Sequence, residues 1–532
     1  MKMSTAQPNT SKTGSKTIPP TLQPEGTVPL PAGLDQLNSG PAKPANVLGD
    51  LSAPAAAKEQ AAPDGETERT GINSKLSATS KLGTIVELCK RRGFVYPTSE
   101  IYGGLSATYD YGPLGALMVK NLREIWMREL VQTSRNVVSM DGTILLHPRT
   151  WEASGHVEKF NDPMVRDTVT GTRYRADHLI KDALQMDPSS LTFGQMGQLL
   201  KERNVKSPAG NPLGDLETVS LMVQARVNGE DIYLRGETCQ NIFTQFNNLM
   251  QTTRQSIPFG VVQIGKVFRN EVTARQFILR MREFEQMEFE FFVDPQDKTP
   301  WVQHWQDRFI DILNKHVGLP KDRLRYRELP EAEKSHYAKV AYDLEFRLDN
   351  GDWLEMSPLN HRGDWDLSRH SQYSGKDMRV LDEKTNRWFT PNVIETSFGV
   401  SRLLYLALDH GYREEQIPGK DETRTVLKLS PEVAPYKAAI LPLSKKPELQ
   451  EQANNIFKGL SRHFALDFDE SQSIGKRYRR QDEIGTPFCI TVDFETLQDQ
   501  CVTVRDRDTM AQQRVAVSQL EKYLRERLTP QA

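Results

Sequence analysis

The sequence is short of the features that would mark a membrane protein or a secreted one. No apolar run approaches the roughly 20 residues that a membrane span needs. Its four cysteines, Cys89, Cys239, Cys489 and Cys501, include no CxxC pair and set up no disulfide framework. We therefore expect a protein of a reducing cytosol, with no membrane partner and no zinc site built from cysteines.

Aromatic residues are missing from the first part of the chain, because Phe, Trp and Tyr do not occur between Met1 and Gly93. Up to about residue 75 the chain is instead rich in Pro, Ala, Ser, Thr and Gly. Such a segment buries too little apolar surface to offset its ordering entropy, so we predict a disordered tail over residues 1–75. It has no apolar core of a secretory signal and no arginine before Arg69, which favours a cytoplasmic location over a secreted or mitochondrial one.

Charge of one sign is not in excess either, since the 532 residues carry a net charge of −2. Any nucleic acid must therefore be bound by a local basic patch rather than by overall attraction. The content of 37% apolar and 26% charged residues is ordinary for a soluble globular protein. A chain of this length has room for roughly two to four domains.

What is present divides at about residue 431. Before it, strands and helices alternate, with a less regular region at about 150–232. After it the pattern runs β, α, β, which predicts a compact α/β domain. We therefore place a larger domain at 76–430 and a smaller one at 431–532.

Two helices can be placed near the start of the larger domain. Apolar residues at helical spacing predict a helix that ends at Arg92, before Gly93. Pro113 should open a second helix, because the first turn leaves its N–H groups without helical partners in any case. The broad apolar surface of this second helix faces either a core or a second subunit, and periodicity alone leaves both open.

The densest charge lies in two β-rich arms, Phe259–Phe268 and Arg282–Val293. Their β-branched and aromatic residues predict an antiparallel pair joined by a long loop. The second arm carries Glu285, Glu288 and Glu290, and a buried carboxylate costs several kcal/mol unless a cation or donors meet it. Arginines lie close by in the sequence, which predicts a site that handles charge of both signs. They are Arg269, Arg280 and Arg282.

Side-chain alternation separates these acids. On the second arm Glu288 and Glu290 share one face with Phe284 and Gln286, whereas Glu285 belongs to the other face. Glu285 and Glu288 therefore cannot reach the same pocket unless a bulge intervenes. Alternation alone leaves open the alternative of an edge hairpin with solvated charges.

Four motifs stand in order along the chain. They are Asp110–Gly115, Phe268–Glu271 together with Arg282–Glu288, Ser397–Arg402, and Gly475–Pro487. They resemble the three class II motifs and the anticodon-domain signature of the homodimeric glycyl-tRNA synthetases, over about residues 83–530. The resemblance implies an α+β fold, in which a class II catalytic domain on an antiparallel sheet precedes a small α/β anticodon-binding domain. It also implies a homodimer, with the first motif leading into the interface helix.

The resemblance further implies the reaction. Glycine would attack the α-phosphorus of ATP to give glycyl-adenylate and pyrophosphate, and the tRNA 3′-terminal hydroxyl would then take the glycyl group. The attacking carboxylate is already ionised at neutral pH, so this step needs positioning and cations rather than a general base. By resemblance Arg269 would hold the α-phosphate and the glycine carboxylate, and Arg402 would hold the γ-phosphate. Mg²⁺ would neutralise the remaining phosphate charge. The two arginines are therefore the residues expected to be catalytic. Their planar forks suit such anions.

The same resemblance implies three sets of binding residues. The set for ATP is Arg269, Asn270, Glu271, Leu279, Arg280, Met281, Arg282, Glu283, Phe284, Glu355, Met356, Gly399, Val400, Ser401 and Arg402, with Phe284 stacking on adenine. The set for glycine is Arg175, Glu237, Phe284, Glu285, Gln286, Met287, Glu288, Arg362, Glu395, Thr396, Ser397, Phe398 and Gly399. The set for tRNA is Lys476, Arg477, Tyr478, Arg479 and Arg480.

Within the glycine set, the acids would bind the ammonium group while the walls exclude a methyl group, so no editing domain is expected. Because alternation separates the two acids, we assign Glu288 to the substrate and treat Glu285 as support. The sequence departs from the family pattern at Gly236, Asn241 and Thr396, which puts fine geometry in doubt rather than the reaction.

Three other functions remain open on the sequence. One is a noncatalytic relative that binds nucleic acid, as in the accessory subunit of mitochondrial DNA polymerase, although such a protein need not keep Arg269, Glu271, Glu237 and Arg402 together. Another is a class II synthetase for threonine or proline, which would need pocket features for a side chain. The third is diadenosine tetraphosphate synthesis as a side activity.

Overall fold

The structure is a computed structural model that describes residues 81–188, 191–271, 276–335 and 337–529. The predicted disordered tail and the predicted start of order near Leu76 lie outside these ranges, as do part of the loop between the two charged arms and the last three residues.

The first half of the described chain carries short helices and strands around two long strands. Its elements are α1 (Lys81–Arg92), β1 (Val95–Pro97), β2 (Tyr109–Tyr111), α2 (Pro113–Met127), β3 (Val137–Met140), α3 (Pro148–Ala153), α4 (His156–Lys159), β4 (Asn161–Asp167), β5 (Arg173–Arg175), α5 (Ala176–Leu184), α6 (Phe193–Glu202), β6 (Leu213–Ser220), β7 (Gln224–Val227), β8 (Glu230–Tyr233), α7 (Cys239–Thr244), α8 (Phe246–Thr253), β9 (Phe259–Phe268) and β10 (Glu283–Val293).

The second half continues the same sheet and then builds another. Its elements are α9 (Trp301–Ile312), β11 (Leu324–Glu328), β12 (Val340–Arg347), β13 (Trp353–Gly363), α10 (Trp365–Ser374), β14 (Val380–Asp382), β15 (Arg387–Phe389), β16 (Asn392–Gly399), α11 (Val400–Gly411), β17 (Tyr412–Gln416), β18 (Thr423–Leu427), β19 (Ala438–Pro442), α12 (Pro447–Leu460), β20 (Leu466–Phe468), α13 (Ile474–Ile484), β21 (Phe488–Val492), α14 (Thr496–Asp499), β22 (Cys501–Asp506), β23 (Gln512–Ala516) and α15 (Leu520–Leu528).

A seven-stranded sheet in the order β11-β12-β13-β16-β10-β9-β3 organises the larger part of the chain. All its pairings are antiparallel except that of β3 with β9. The two charged arms are β9 and β10, paired without a register shift from Glu283 opposite Phe268 to Phe292 opposite Phe259. The predicted antiparallel pair is thus confirmed, and no bulge moves Glu285 onto the face of Glu288.

The two predicted helices are also confirmed. Helix α1 ends at Arg92, and Gly93 follows with φ +79°, a left-handed conformation in which glycine carries no steric penalty. Helix α2 begins at Pro113. Two residues later Gly115 lies so close to the preceding turn that a Cβ there would sit 2.0 Å from the carbonyl oxygen of Phe94.

Strand β10 has two differently filled faces. Met287, Phe289 and Phe291 pack into the main core, which α2, α9 and α11 cover. The apolar surface of α2 lies largely in this core, where Trp126 stacks on Phe309 with ring centroids 5.4 Å apart. The opposite face carries Glu288 and Glu290 before Phe292 enters a smaller apolar cluster. The acids therefore stand on the side of the sheet away from its main core.

The C-terminal part is a second, mixed sheet in the order β20-β19-β21-β22-β23. The pairings of β19 with β20 and with β21 are parallel, and the remaining pairings are antiparallel. Helices α12 and α15 cover one face of this sheet with a core of their own, and α13 packs on the other face through Ile474 and Tyr478. The predicted small α/β unit is present. Within the described residues, no helix combines the length and apolar character needed to cross a bilayer.

Candidate active site

Four buried side chains converge beside the non-core face of β10. Glu288 and Glu290 come from β10, Glu395 from β16 and Cys239 from the start of α7. One oxygen of each carboxylate and the Cys239 sulfur all lie within 4.8 Å of one another. We call this group the acidic cluster. Such crowding of acids is costly unless protons or cations neutralise it.

One cation of the protein already reaches the cluster. Arg362 is 2% exposed, and its Nη1 donates to Glu395 at 2.8 Å while its other nitrogens donate to Asp366 at 2.7 and 2.8 Å. Asn360 also donates to Glu395, at 2.9 Å. Burial still raises the pKa of Glu395, although Arg362 opposes the rise. Arg362 is therefore divided between two acids and leaves negative charge uncompensated.

Glu237 lies in the turn before α7 and has its own partners. Its carboxylate lies 3.2 Å from His156 Nε2, and it accepts from Gln240 Nε2 and from the Cys239 thiol, each at 2.9 Å. Burial opposes ionisation of Glu237, but His156 and Arg362 outweigh it and hold its pKa well below the ordinary value. Glu237 is thus an ionised acid at the rim of the acidic cluster.

Glu288 differs from Glu237, because its pKa is raised rather than lowered. It is 1% exposed, and among the described residues it accepts a hydrogen bond from Thr238 Oγ1 at 2.8 Å. Burial, and then the negative charges of Glu395 and Glu237, raise the pKa of Glu288 to about 8. Ser397 on β16 stands directly opposite it in register. A ligand that brings a positive charge would favour the ionised form of Glu288.

Arg235 precedes the turn that carries Glu237 and Thr238, and its hydrogen bonds hold this turn against neighbouring backbone. This side chain is 2% exposed and donates to the carbonyl oxygens of Lys266 at 2.6 Å and Gly142 at 2.7 Å. A Cβ at residue 265 would lie 2.1 Å from Arg235 Nη2. Strand β9 therefore has room for the Arg235 side chain because residue 265 is glycine. Asn241 donates to Thr143 O at 3.1 Å, so this departure from the family pattern is accommodated by a hydrogen bond.

Arg269, a half-buried residue at the start of the β9–β10 loop, lies between two aromatic rings. The Arg269 guanidinium carbon lies 5.3 Å from the ring centroid of Phe160 and 5.4 Å from that of Phe284. Its Nε donates to Gly236 O at 3.1 Å, next to Glu237. Farther along the loop, Arg280 donates to Glu271 at 2.7 Å. Arg269 thus connects the aromatic platform of Phe284 to the turn of the acidic cluster.

A second arginine projects from the start of α11. Arg402 Nη1 donates to the carbonyl oxygen of Glu355 at 3.0 Å and to its carboxylate at 3.1 Å. The side chains of Arg402 and Glu355 are 30% and 52% exposed. This pair remains open to a ligand, unlike the buried ion pairs around Arg362.

Comparison with protein families assigns both parts of the chain. Residues 221–411 match the class II tRNA synthetase core domain (G, H, P, S and T), and residues 437–527 match an anticodon-binding domain. The chain is 44% identical over 459 residues to a glycine–tRNA ligase of Staphylococcus haemolyticus, which covers 84% of this chain and 98% of the relative. It is 45% identical over 456 residues to one of Bacillus thuringiensis subsp. konkukian, again covering 84% of this chain and 98% of the relative.

The chain belongs to the glycine–tRNA ligase family.

A solved structure shares the fold of this glycine–tRNA ligase family member at low sequence identity. It is prolyl-tRNA synthetase from Cryptosporidium parvum, in complex with halofuginone and AMPPNP. The match has a TM-score of 0.56 at 15% identity and covers 85% of this chain and 78% of that one. The class II core followed by an anticodon-binding domain is therefore the architecture, as the sequence predicts.

The structure of this glycine–tRNA ligase family member brings some of the predicted glycine-binding residues together and separates others. Glu237, Glu288, Glu395, Ser397 and Arg362 meet at the acidic cluster or its rim. Glu285 is on the other face, where Arg123 of α2 donates to it from two nitrogens, from Nε at 2.5 Å. The geometric prediction that Glu285 and Glu288 face apart is confirmed.

Several predicted side chains face elsewhere, because strand residues alternate. Met287 and Phe398 are opposite each other in register and lie in the main core, and Thr396 donates to Pro358 O at 2.8 Å on that same side. Their side chains therefore face away from the acidic cluster. Arg175 donates to Asp162 and Asp177, each at 2.7 Å, and no hydrogen bond between described residues ties it to the acidic cluster. The remaining predicted glycine residues are Phe284, Gln286 and Gly399, at the loop end of β10 and its pairing with β16.

The predicted ATP residues divide in a similar way. Arg269, Glu271, Arg280, Phe284, Glu355 and Arg402 make the contacts described above, and Arg282 Nε donates to Glu271 O at 3.0 Å. Glu283 pairs with Lys266 at 3.1 Å, and Asn270 donates to Ser220 O at 3.2 Å. The side chains of Leu279, Met281, Met356 and Val400 lie in the main core, and Ser401 beside Val400 is buried. Such residues could meet a nucleotide only through their backbone.

One of the five predicted tRNA residues has a buried side chain. They all lie on α13, but Arg477 is 2% exposed and donates to Pro442 O at 2.7 Å and Asp469 O at 3.0 Å. Its guanidinium is thus committed to the fold. Lys476 is exposed, whereas Tyr478 is half-buried and its hydroxyl lies 2.7 Å from Thr491 Oγ1. Arg479 pairs with Glu422, and Arg480 donates to Asp469.

Sequence reasoning missed Glu290 as a site residue. It is fully buried, and neither of its carboxylate oxygens has a hydrogen-bond partner among the described residues. Burial raises its pKa well above the ordinary value, and Glu395 and Glu288 add to the rise. The signal was its spacing of two from Glu288, which puts both on one face of a strand. His156 and Asp366 were missed too, since only the fold brings them to Glu237 and Arg362.

Proposed function

We propose that this chain ligates glycine to its tRNA through a glycyl-adenylate intermediate, releasing AMP and pyrophosphate. The observation that carries the proposal is the acidic cluster. It is buried and holds more carboxylates than its one arginine can neutralise, so it favours a small cationic group. Glycine brings an ammonium group and no side chain, which suits a site that is charged and cramped.

The ammonium group would be bound by Glu237, Glu288, Glu395 and Ser397. Glu237 offers an ionised carboxylate, and Glu288 becomes one when a cation approaches, because the ammonium charge offsets the repulsion from its neighbours. Arg362 holds Glu395 in place without occupying the ammonium position. A methyl group on the substrate would have to displace one of these acids, so exclusion of larger amino acids is steric.

ATP would lie toward the loop end of the same strands. Phe284 would stack on adenine, and Arg269, next to it, would reach the α-phosphate and the glycine carboxylate. Arg402 would pair with the γ-phosphate in place of its present contact with Glu355. The two arginines bring the nucleophile and the phosphorus into line and neutralise charge that develops on the leaving group.

Mg²⁺ would accompany ATP. The half-exposed carboxylate of Glu355, already beside Arg402, is the oxygen ligand that fits it. When bound, the ion would shield the phosphate charges from the attacking carboxylate.

We also propose two domains, a catalytic one at 76–430 that includes the less regular region at 150–232, and an anticodon-binding one at 431–532. Of the five residues predicted to bind tRNA in the second domain, Lys476 and Arg479 are exposed and Arg480 beside them is half-buried. The unpaired state of all four cysteines supports a cytoplasmic location.

A homodimer is proposed from an exposed apolar segment near the first class II motif. Ile101 and Tyr102 are 87% and 86% exposed, and Leu105 is 58% exposed. Exposed apolar side chains this close together in the sequence are suited to burial against a second copy of the chain.

Pyrophosphate exchange into ATP tests the activity. We expect exchange with glycine, and far weaker exchange with alanine or serine. Arg269→Ala should abolish it by removing the cation from the α-phosphate. Arg379→Ala should leave it unchanged, because Arg379 is exposed and its contacts are with Asp377 and the ring of Trp388. No exchange with glycine would overturn the proposal, and equal exchange with alanine would overturn the pocket argument.

A further inference from the structure

Glu290 lies beside Glu288 and Glu395, two of the acids that would bind the ammonium group. It is directly opposite Glu395 in the β10–β16 register and two residues along the strand from Glu288. An oxygen of each of these three acids lies within 4.8 Å of the others. Unlike its neighbours, Glu290 accepts no hydrogen bond from the described residues.

An ionised Glu290 does not fit this environment. A buried carboxylate without donors loses its hydration and gains nothing in return, and here it would also face two other acids. A protonated carboxyl has the opposite requirement, because its O–H needs an acceptor. Glu395 already accepts from Arg362 and Asn360, whereas Glu288 accepts from Thr238 through one oxygen and has a second to offer.

We propose that Glu290 is a positioning residue that keeps its proton and donates its O–H hydrogen bond to the Glu288 carboxylate. It thereby holds Glu288 in the orientation that receives the ammonium group, and it adds no negative charge to the acidic cluster. This inference rests on the proposed function, since it takes glycine as the ligand of Glu288.

Groups from every element around Glu290 bear on its protonation. The titratable and charged ones are Glu288 on its own strand, Glu395 on β16, Arg362 on β13, Asp366 on α10 and Cys239 on α7. Strand β9 presents the apolar Val261 opposite it. The acids outnumber Arg362, whose nitrogens donate to Asp366 and Glu395 and not to Glu290. The balance therefore favours the neutral form of Glu290.

Two substitutions at Glu290 distinguish the loss of its hydrogen-bond donor from the loss of its charge. Glu290→Gln keeps a hydrogen-bond donor of the same shape and is neutral at every pH, so KM for glycine should change by less than about threefold. Glu290→Leu keeps the volume but removes the donor, so KM for glycine should rise about tenfold or more while KM for ATP stays the same. Glu328→Gln, at an exposed position of β11 in the same seven-stranded sheet, is the matched control.

The pH profile gives a readout that a merely structural role would not move. If Glu290 is neutral in the native protein, Glu290→Gln leaves the acid limb of kcat/KM for glycine unchanged. If Glu290 is ionised, the same substitution removes a negative neighbour and moves that limb down by about one pH unit. Such a shift, a folded but inactive Glu290→Gln variant, or a folded Glu290→Leu variant with native KM would each overturn the proposal.

A substrate-free measurement keeps this test apart from that of the proposed function. The infrared carbonyl band of a protonated carboxyl should be present in the native protein and absent from Glu290→Gln, so that it appears in the difference spectrum between the two. Absence of that difference band overturns the assignment of the proton even if glycine is the substrate. Failure of glycine-dependent exchange by the native protein, with the band present, would instead overturn the proposed function.

Discussion

At the scale of single residues, neighbours on one strand do different work because strand geometry sends them to different environments. Glu285 pairs with Arg123 of α2 on the core side, and Glu288 faces Thr238 and Glu395 on the other. A spacing of three residues in sequence thus separates a structural ion pair from a proposed substrate ligand.

This division predicts opposite phenotypes for two similar substitutions. Glu285→Gln should leave KM for glycine unchanged and lower the free energy of unfolding by about 1–2 kcal/mol, because it weakens the bonds from Arg123. Glu288→Gln should raise KM for glycine about 30-fold or more, because an amide does not offer the ammonium group an ionised partner. Exchange kinetics and denaturant unfolding measure the two effects, and a rise in glycine KM for Glu285→Gln would contradict the assignment.

Much of this residue-scale picture was available from the sequence. Alternation along β10 gave the correct faces for Glu285 and Glu288, and motif resemblance named Glu237 and Glu395. The sequence could not reveal that Arg477 is buried, since a run of basic residues looks solvated until the packing of its helix is known. It also could not reveal that Glu290 lacks a partner, because an absence of donors belongs to the three-dimensional surroundings.

At the scale of elements, the turn between β4 and β5 is held together by one buried carboxylate. Asp167 accepts from the backbone N–H groups of Val169 and Thr170 at 2.9 and 2.8 Å, and from the side chains of Ser207 at 2.6 Å and Asn211 at 3.1 Å. These hydrogen bonds hold the pKa of Asp167 well below its ordinary value, against the effect of burial. These hydrogen bonds join the β4–β5 turn to the loop that precedes β6.

Asp167→Asn should therefore loosen this region alone. The amide loses the charge and replaces one acceptor with a donor, so some of these contacts become unsatisfied. Hydrogen exchange should speed up in β4, β5 and β6, while the protection of β9 and β10 should stay as it is. Asp215→Asn is the matched control, because Asp215 is exposed on β6 and pairs with Lys201. Equal loss of protection in the seven-stranded sheet would contradict a local role.

At the scale of the whole molecule, ion pairs join the C-terminal part of the chain to strand β18 and helix α1, which precede it in sequence. Asp482 of α13 accepts from Arg424 of β18 at 3.0 Å and from Arg505 of β22 at 2.8 and 3.0 Å. Arg91 of α1 also donates to Glu483, at 3.1 and 3.2 Å. The rhythm of the sequence predicted the C-terminal α/β unit, and the family resemblance implied the antiparallel sheet. Neither predicted this junction, since partners 58 positions apart leave no periodic signal.

The junction predicts how the molecule unfolds. Asp482→Ala would leave two buried arginines without a shared partner, at a cost of about 3–5 kcal/mol. We expect calorimetry to show the C-terminal sheet melting at a lower temperature, in a transition separate from that of the seven-stranded sheet. Asp499→Ala, which removes an exposed partner of Arg514, should leave the melting profile nearly unchanged. A single unsplit transition for Asp482→Ala would contradict the role of the junction.

The crowding of the acidic cluster also constrains how this protein could evolve or be redesigned. In the proposed glycine site, the atoms that would close the pocket against a methyl group are the same atoms that supply its charge, since the carboxylates stand within 4.8 Å of one another. Shortening any of them to admit alanine would also remove or displace an anion that the ammonium group needs. A broader substrate range therefore cannot be reached by enlargement alone. It would require a second change that restores the charge from a new direction.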